Sequence, residues 1–126
     1  MLTERRVHTT LPVSDLDRAR TFYERVLGFE PFDVQPGAVL YRAGEGSVFA
    51  ISRSTGAPSG THTQMGFTVT GLGAEVADLK RRGIVFEEYD LPGFRTEGSI
   101  AQTGPNRAAW FRDSEGNLLG LIEFGT

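Results

Sequence analysis

Arg107-Ala108-Ala109-Trp110-Phe111-Arg112-Asp113-Ser114-Glu115-Gly116-Asn117-Leu118-Leu119-Gly120-Leu121-Ile122-Glu123-Phe124 reads as a β-hairpin. Two apolar runs flank a turn whose residues each suit it: Asp and Ser side chains bond nearby backbone, while Gly and Asn accept positive φ. The pattern occurs twice. Tyr41-Arg42-Ala43-Gly44-Glu45-Gly46-Ser47-Val48-Phe49-Ala50-Ile51 follows Phe111 to Leu121 class for class, at an offset of 70 residues from Tyr41 to Phe111. The spacing therefore predicts an internal duplication.

Working outward, residues 6–13 alternate with Val7, Thr9, Leu11 and Val13 on one side and His8, Thr10 and Pro12 on the other, the period of a strand. Pro12 puts that strand at an edge, or marks its end. Ser14 is the expected helix cap, and Leu16, Ala19, Phe22, Tyr23, Val26 and Leu27 recur at helical spacing until Gly28. A strand around 29–34 and the first hairpin, 38–53, complete a βαβββ unit. The second unit repeats the order: a strand at 64–70, a helix marked by Leu72, Val76 and Leu79 and ended by Gly83, a strand over 84–91, and the last hairpin. His8 corresponds to Gln64 and Val13 to Val69, both at an offset of 56. Residues 92–106, with Gly93, Gly98, Gly104 and Pro105, read as a long loop, a candidate lid as much as a surface loop.

The 126 residues, with enough interior for a core, are expected to form a single domain, 1–126, of units spanning about 5–54 and 63–126 joined by a linker at 55–62. A formal charge of −3 gives no reason to expect nucleic acid or anionic lipid as partners. The absence of cysteine removes disulfides, thiolate metal sites and Cys nucleophiles. No signal-peptide core or membrane-length apolar run occurs, so a soluble, cytoplasmic protein is expected. His8 and His62, the two histidines, form no nucleophile–base pair by their order, and no dinucleotide or P-loop glycine pattern is present. His62 is expected in solvent beside the linker, and Asp113 and Glu115 are read as turn formers and solvating groups.

The paired βαβββ units, Val13-Ser14-Asp15-Leu16 with Phe22-Tyr23 and Leu27-Gly28-Phe29, and Trp110-Phe111-Arg112-Asp113 with Gly116-Asn117 resemble the vicinal oxygen chelate superfamily of glyoxalase I, extradiol dioxygenases, fosfomycin-resistance enzymes and bleomycin-resistance proteins. The resemblance implies an α+β fold: a curved, partly open mixed β-barrel with helices outside, a ligand in the hollow of the sheet, and a homodimer. It also implies four metal-ligand positions, held here by His8, Ala50, Gln64 and Gly120. Imidazole and an amide oxygen are donors, but Ala50 and Gly120 supply nothing where catalytic members place a carboxylate.

Centring the last turn on Glu115 sets Trp110 across from Gly120 on one face, and the first hairpin likewise sets Leu40 across from Ala50. The pocket expected from this pattern is apolar and aromatic. Trp110, Leu40, Ala50 and Gly120 would form its surface, and His8, Thr10, Arg42, Ser52 and Gln64 its polar groups. The leading expectation is a metal-independent small-molecule binding protein without cofactor; whether any reaction is catalysed stays open. The alternatives are a metal-dependent lyase, isomerase or dioxygenase using His8 and Gln64 with a carboxylate from Glu123 or Asp90, and a regulatory or structural subunit with a vestigial pocket.

Overall fold

The structure, a computed structural model, describes residues 1–125. It is α+β, with one four-stranded and one six-stranded sheet among the described residues, neither closed on itself. The chain divides into two compact units between Pro58 and Ser59, inside the stretch read as linker.

In the first unit, β1 (Thr9–Val13), β2 (Pro31–Gln35), β3 (Ala38–Arg42) and β4 (Val48–Arg53) form a sheet in the order β1-β4-β3-β2. β1 lies parallel to β4, and the other neighbours are antiparallel. Alternation sorts the side chains. Leu11, Val13, Val39, Tyr41, Phe49 and Ile51 are buried, as are Ala19 and Tyr23 of the helical segment. Tyr23 stacks on Tyr41 at 5.9 Å between ring centroids, and Phe29 meets Phe49 edge-on at 5.0 Å. Such pairs contribute roughly 0.5–1.5 kcal/mol each beyond their area.

The helix starts one residue later than Ser14 predicts. Asp15 has the extended backbone of a cap, and its carboxylate accepts from the Arg18 N–H at 3.0 Å, while Ser14 Oγ accepts from the Arg18 guanidinium at 3.2 Å. α1 (Leu16–Arg20) then widens into a π-helical turn, Thr21–Val26, closed by Leu27 N–H donating to the Phe22 carbonyl at 3.0 Å. Gly28, at φ +84°, ends it. Glu24 ties this turn to the sheet by accepting from Arg20 Nε at 2.7 Å and from the Tyr41 hydroxyl at 2.8 Å. The Arg20 bond, then the Tyr41 bond, holds the Glu24 carboxyl below its ordinary range, while burial raises Tyr41.

In the second unit, β5 (Thr63–Thr68), β6 (Asp90–Leu91), β7 (Phe94–Glu97), β8 (Ile100–Thr103), β9 (Asn106–Arg112) and β10 (Leu118–Glu123) follow the order β5-β10-β9-β8-β7-β6. As in the first unit, the last strand lies parallel to the first. α2 (Leu72–Arg81) buries Leu72 and Val76. Two expectations need correction here. Residues 84–91 alternate as expected, Ile84 and Phe86 buried and Val85 82% exposed, yet they pair only through a bridge from Phe86 to Phe111 and through β6.

Residues 92–106 are not a long loop. They are three hairpin turns of two residues each, Pro92-Gly93, Gly98-Ser99 and Gly104-Pro105, separated by β7 and β8. The glycines punctuate strands. Gly98 and Ser99 both take positive φ, +57° and +75°, as a type I′ turn requires. Glu88 accepts from Ser99 Oγ at 2.7 Å and from Thr96 Oγ1 at 2.6 Å; those bonds, that from Thr96 foremost, lower its pKa. In the final turn, Asp113 Oδ1 accepts from the N–H groups of Glu115 and Asn117 at 2.8 and 2.9 Å. Asp113 is thus a turn former, but it is buried rather than solvated.

Candidate functional site

The second unit carries an aromatic face. β9 and β10 pair so that Trp110 stands across from Gly120, as the turn implies, and Gly66 of β5 flanks Gly120 on its other side. Trp110 Nε1 donates to Thr63 Oγ1 at 3.1 Å. A Cβ placed on Gly120 would lie 3.2 Å from Trp110 Nε1 and 3.3 Å from Thr63 Cγ2, so the indole occupies the space a side chain at 120 would need. Tyr89 and Phe94 complete the face, with ring centroids 5.8 and 5.5 Å from Trp110 and 5.4 Å from each other. All three rings are half-buried. Burial raises the Tyr89 pKa, which keeps the phenol neutral at physiological pH.

Sequence reasoning missed Tyr89, Phe94 and Thr63. Leu91-Pro92-Gly93-Phe94 held the signal for Phe94: a two-residue turn there returns Phe94 to the side of Leu91, beside Tyr89. Gln64 falls at a bulge of β5, between Thr63 and Met65, and its Oε1 is buried with no hydrogen-bond partner. Arg112 is held by the carbonyl of Gly60, at 2.8 and 3.1 Å, and by Glu87.

In the first unit, Leu40, Ala50 and Thr10 form the row that alternates with the core residues; Ala50, paired to both neighbours, is itself buried, while Leu40 is half-buried and Thr10 exposed. At one end of the row His8 and Arg42 line a cavity of about 390 Å³ with Arg6, Val7, Phe32, Gly46 and Val48. Ser52 is not part of it. It lines a separate hollow of about 610 Å³ with Ser14, Gln35 and Arg53.

The chain matches the model of the Glyoxalase/Bleomycin resistance protein/Dioxygenase superfamily over residues 5–121. It belongs to that family. The cadmium-induced protein CadI of Mycobacterium tuberculosis is 29% identical over 110 residues, covering 83% of this chain and 72% of CadI. TnmS3, an antibiotic binding protein from Streptomyces sp. CB03234, superposes with a TM-score of 0.74 at 23% identity, with 99% of each chain covered. A glyoxalase/bleomycin resistance protein/dioxygenase from Alicyclobacillus acidocaldarius gives 0.67 at 22%, covering 96% of this chain and 92% of that one. These two likenesses establish the fold.

Glyoxalase-family membership raises the question of a divalent ion, and the residues present do not fit one. Within the first unit the expected positions offer the imidazole of His8 but only a methyl at Ala50. Within the second they offer the Gln64 amide and, at Gly120, the edge of the Trp110 ring. Among the described residues no group of three or more His, Cys, Asp or Glu side chains comes together. The two carboxylates considered as substitutes are placed elsewhere. Glu123 Oε1 accepts from the N–H groups of Gly71 and Leu72, at 2.7 and 3.1 Å, and its other oxygen pairs with Arg107 at 3.0 Å. It caps α2, and those backbone bonds lower its pKa. Asp90 is exposed on the outermost strand.

Proposed function

We propose that this protein binds a small molecule with an aromatic or extended apolar body, without a metal ion, and that binding is itself the activity. The observation that carries the reading is the indole of Trp110 lying over Gly120 with Tyr89 and Phe94 around it. Half-buried rings gathered on one sheet face offer a planar ligand stacking area already held in place, and each ring contact contributes on the order of 0.5–1.5 kcal/mol beyond its area. Thr63, by fixing Nε1, keeps the indole in one orientation. TnmS3, an antibiotic binding protein, uses the same fold, which supports a binding role without naming the ligand. In this reading the protein works in the cytoplasm as a homodimer, with no nucleic-acid partner, and no helix among the described residues is long and apolar enough to cross a membrane.

The test is a titration of planar aromatic antibiotics and dyes, in the presence of a chelator, followed by calorimetry and by emission of the single tryptophan. A binder should show heat and altered emission together. Trp110→Phe should remove the optical signal and weaken affinity by no more than about tenfold, the equivalent of roughly 1.4 kcal/mol. Binding seen by calorimetry with unchanged emission would place the site away from Trp110. Binding that the chelator abolished and a divalent ion restored would overturn the metal-independent reading.

A further inference from the structure

The cavity of the first unit has a chemistry of its own. It is lined by Arg6, His8 and Arg42 with Val7, Phe32, Gly46 and Val48, and no Asp or Glu lines it, although the whole chain carries a net charge of −3. Glu30 lines an adjoining hollow that shares Phe32 and Arg42, yet among the described residues neither Arg42 nor Arg6 forms an ion pair. Among those residues Arg5 and Arg53 form no ion pair either, so what distinguishes Arg6 and Arg42 is that they line one cavity together.

Arg42 is also held in place. Its guanidinium carbon lies 4.4 Å from the centroid of the Phe32 ring, so one planar face is occupied while N–H groups at the edge remain available. The backbone explains the contact. β2 and β3 pair Pro31 with Tyr41 and Asp33 with Leu40, which leaves Phe32 as the extra residue of a bulge, and a bulge re-aims its side chain. Val48, paired with Arg42, and Gly46, at φ +78°, close the cavity from the turn between β3 and β4.

We propose that this cavity binds the oxyanion of a small organic molecule, a phosphonate, phosphate, carboxylate or sulfonate, with Arg42 as the principal donor, Arg6 and His8 as flanking donors, and Phe32, Val48 and Val7 against the apolar body. A stacked guanidinium with free edge donors suits a planar or tetrahedral oxyanion, because little side-chain freedom remains to be lost on binding. A nucleic acid is a poor occupant, since the cavity is small and the molecule's charge repels a polyanion. The inference goes beyond the aromatic-face reading and does not rest on it, because every residue it uses lies in the first unit.

The probe is phenylphosphonate, with benzyl alcohol as the neutral control, titrated into the 126-residue protein while amide and arginine side-chain signals are followed by NMR. Saturable shifts at Val7, His8, Gly46, Val48 and the Arg42 side chain are expected, with benzyl alcohol at least tenfold weaker. Arg42→Gln should weaken phenylphosphonate at least tenfold and Arg6→Gln severalfold. Arg53→Gln, an exposed arginine of β4 outside the cavity, should change it by less than twofold. Saturable shifts confined to Tyr89, Phe94 and Trp110 would assign the probe to the aromatic face and overturn this proposal while leaving that reading intact, which separates the two failures. Equal affinity for the neutral control, an undiminished Arg42→Gln variant, or an Arg53→Gln loss as large as that of Arg42→Gln would overturn the proposal.

Discussion

Gly120 is the residue on which the second unit's aromatic face depends, because an added methyl would meet Trp110 Nε1 at 3.2 Å and Trp110 Cδ1 at 3.3 Å. Gly120→Ala should therefore push the indole outward, strain or break its bond to Thr63, and cost roughly 1–3 kcal/mol through overpacking. Chemical denaturation and the emission spectrum would check this; a variant as stable as its parent with unchanged emission would show that the ring lies elsewhere. The Trp110–Gly120 pairing was legible in the sequence, since the turn fixes the hairpin register and the register fixes the faces. Thr63 was not, because its contact with Trp110 spans 47 residues and leaves no periodic trace.

Among the elements, α2 has the most informative start. Its cap position is glycine, at φ +73°, which has no side chain to offer, and Glu123 of β10 takes over from 51 and 52 residues away. Because backbone bonds lower its folded pKa, Glu123 contributes stability that is present above its unfolded value and is lost as pH falls through the folded value. Glu123→Gln keeps an acceptor oxygen but removes the charge. It should melt below the parent at neutral pH, and the gap should close as pH drops below the ordinary carboxylate value of 4.5. Paired melts across that range would test it, and a gap independent of pH would count against the charged cap. Strands and helices were largely readable from alternation, but residues 92–106 were not, since four-residue strands with one or two inward side chains fall below any clear period.

At the scale of the whole molecule, the duplicated order was visible in the sequence, and the two sheets realise it with the same parallel closure, Thr10 beside Ala50 and Gly66 beside Gly120. The sheets nevertheless differ in size, because the three two-residue turns add strands to the second alone. Each sheet has unpaired outer strands, and Val34 on β2 and Leu91 on β6 are 54% and 57% exposed there. Open edges with apolar side chains favour a partner chain, so sedimentation velocity at micromolar concentration should show a homodimer. A monomer unaffected by concentration would remove that expectation. The metal-ligand positions were legible only as residue types; what fills the space at Gly120 required the packed indole to be seen.

The parallel closure also sets an order of events in time. A hairpin such as β9–β10 joins residues close in sequence, whereas β1 must find β4 from 40 residues away, Thr9 against Phe49, and β5 must find β10 across 55, Thr63 against Leu118. Short searches finish before long ones, because the entropy of closing a loop is lost before its contacts form. Each sheet is thus expected to grow from its hairpins and to receive its first-made strand last. The chain segment that emerges earliest in each unit then spends the longest part of folding without a partner.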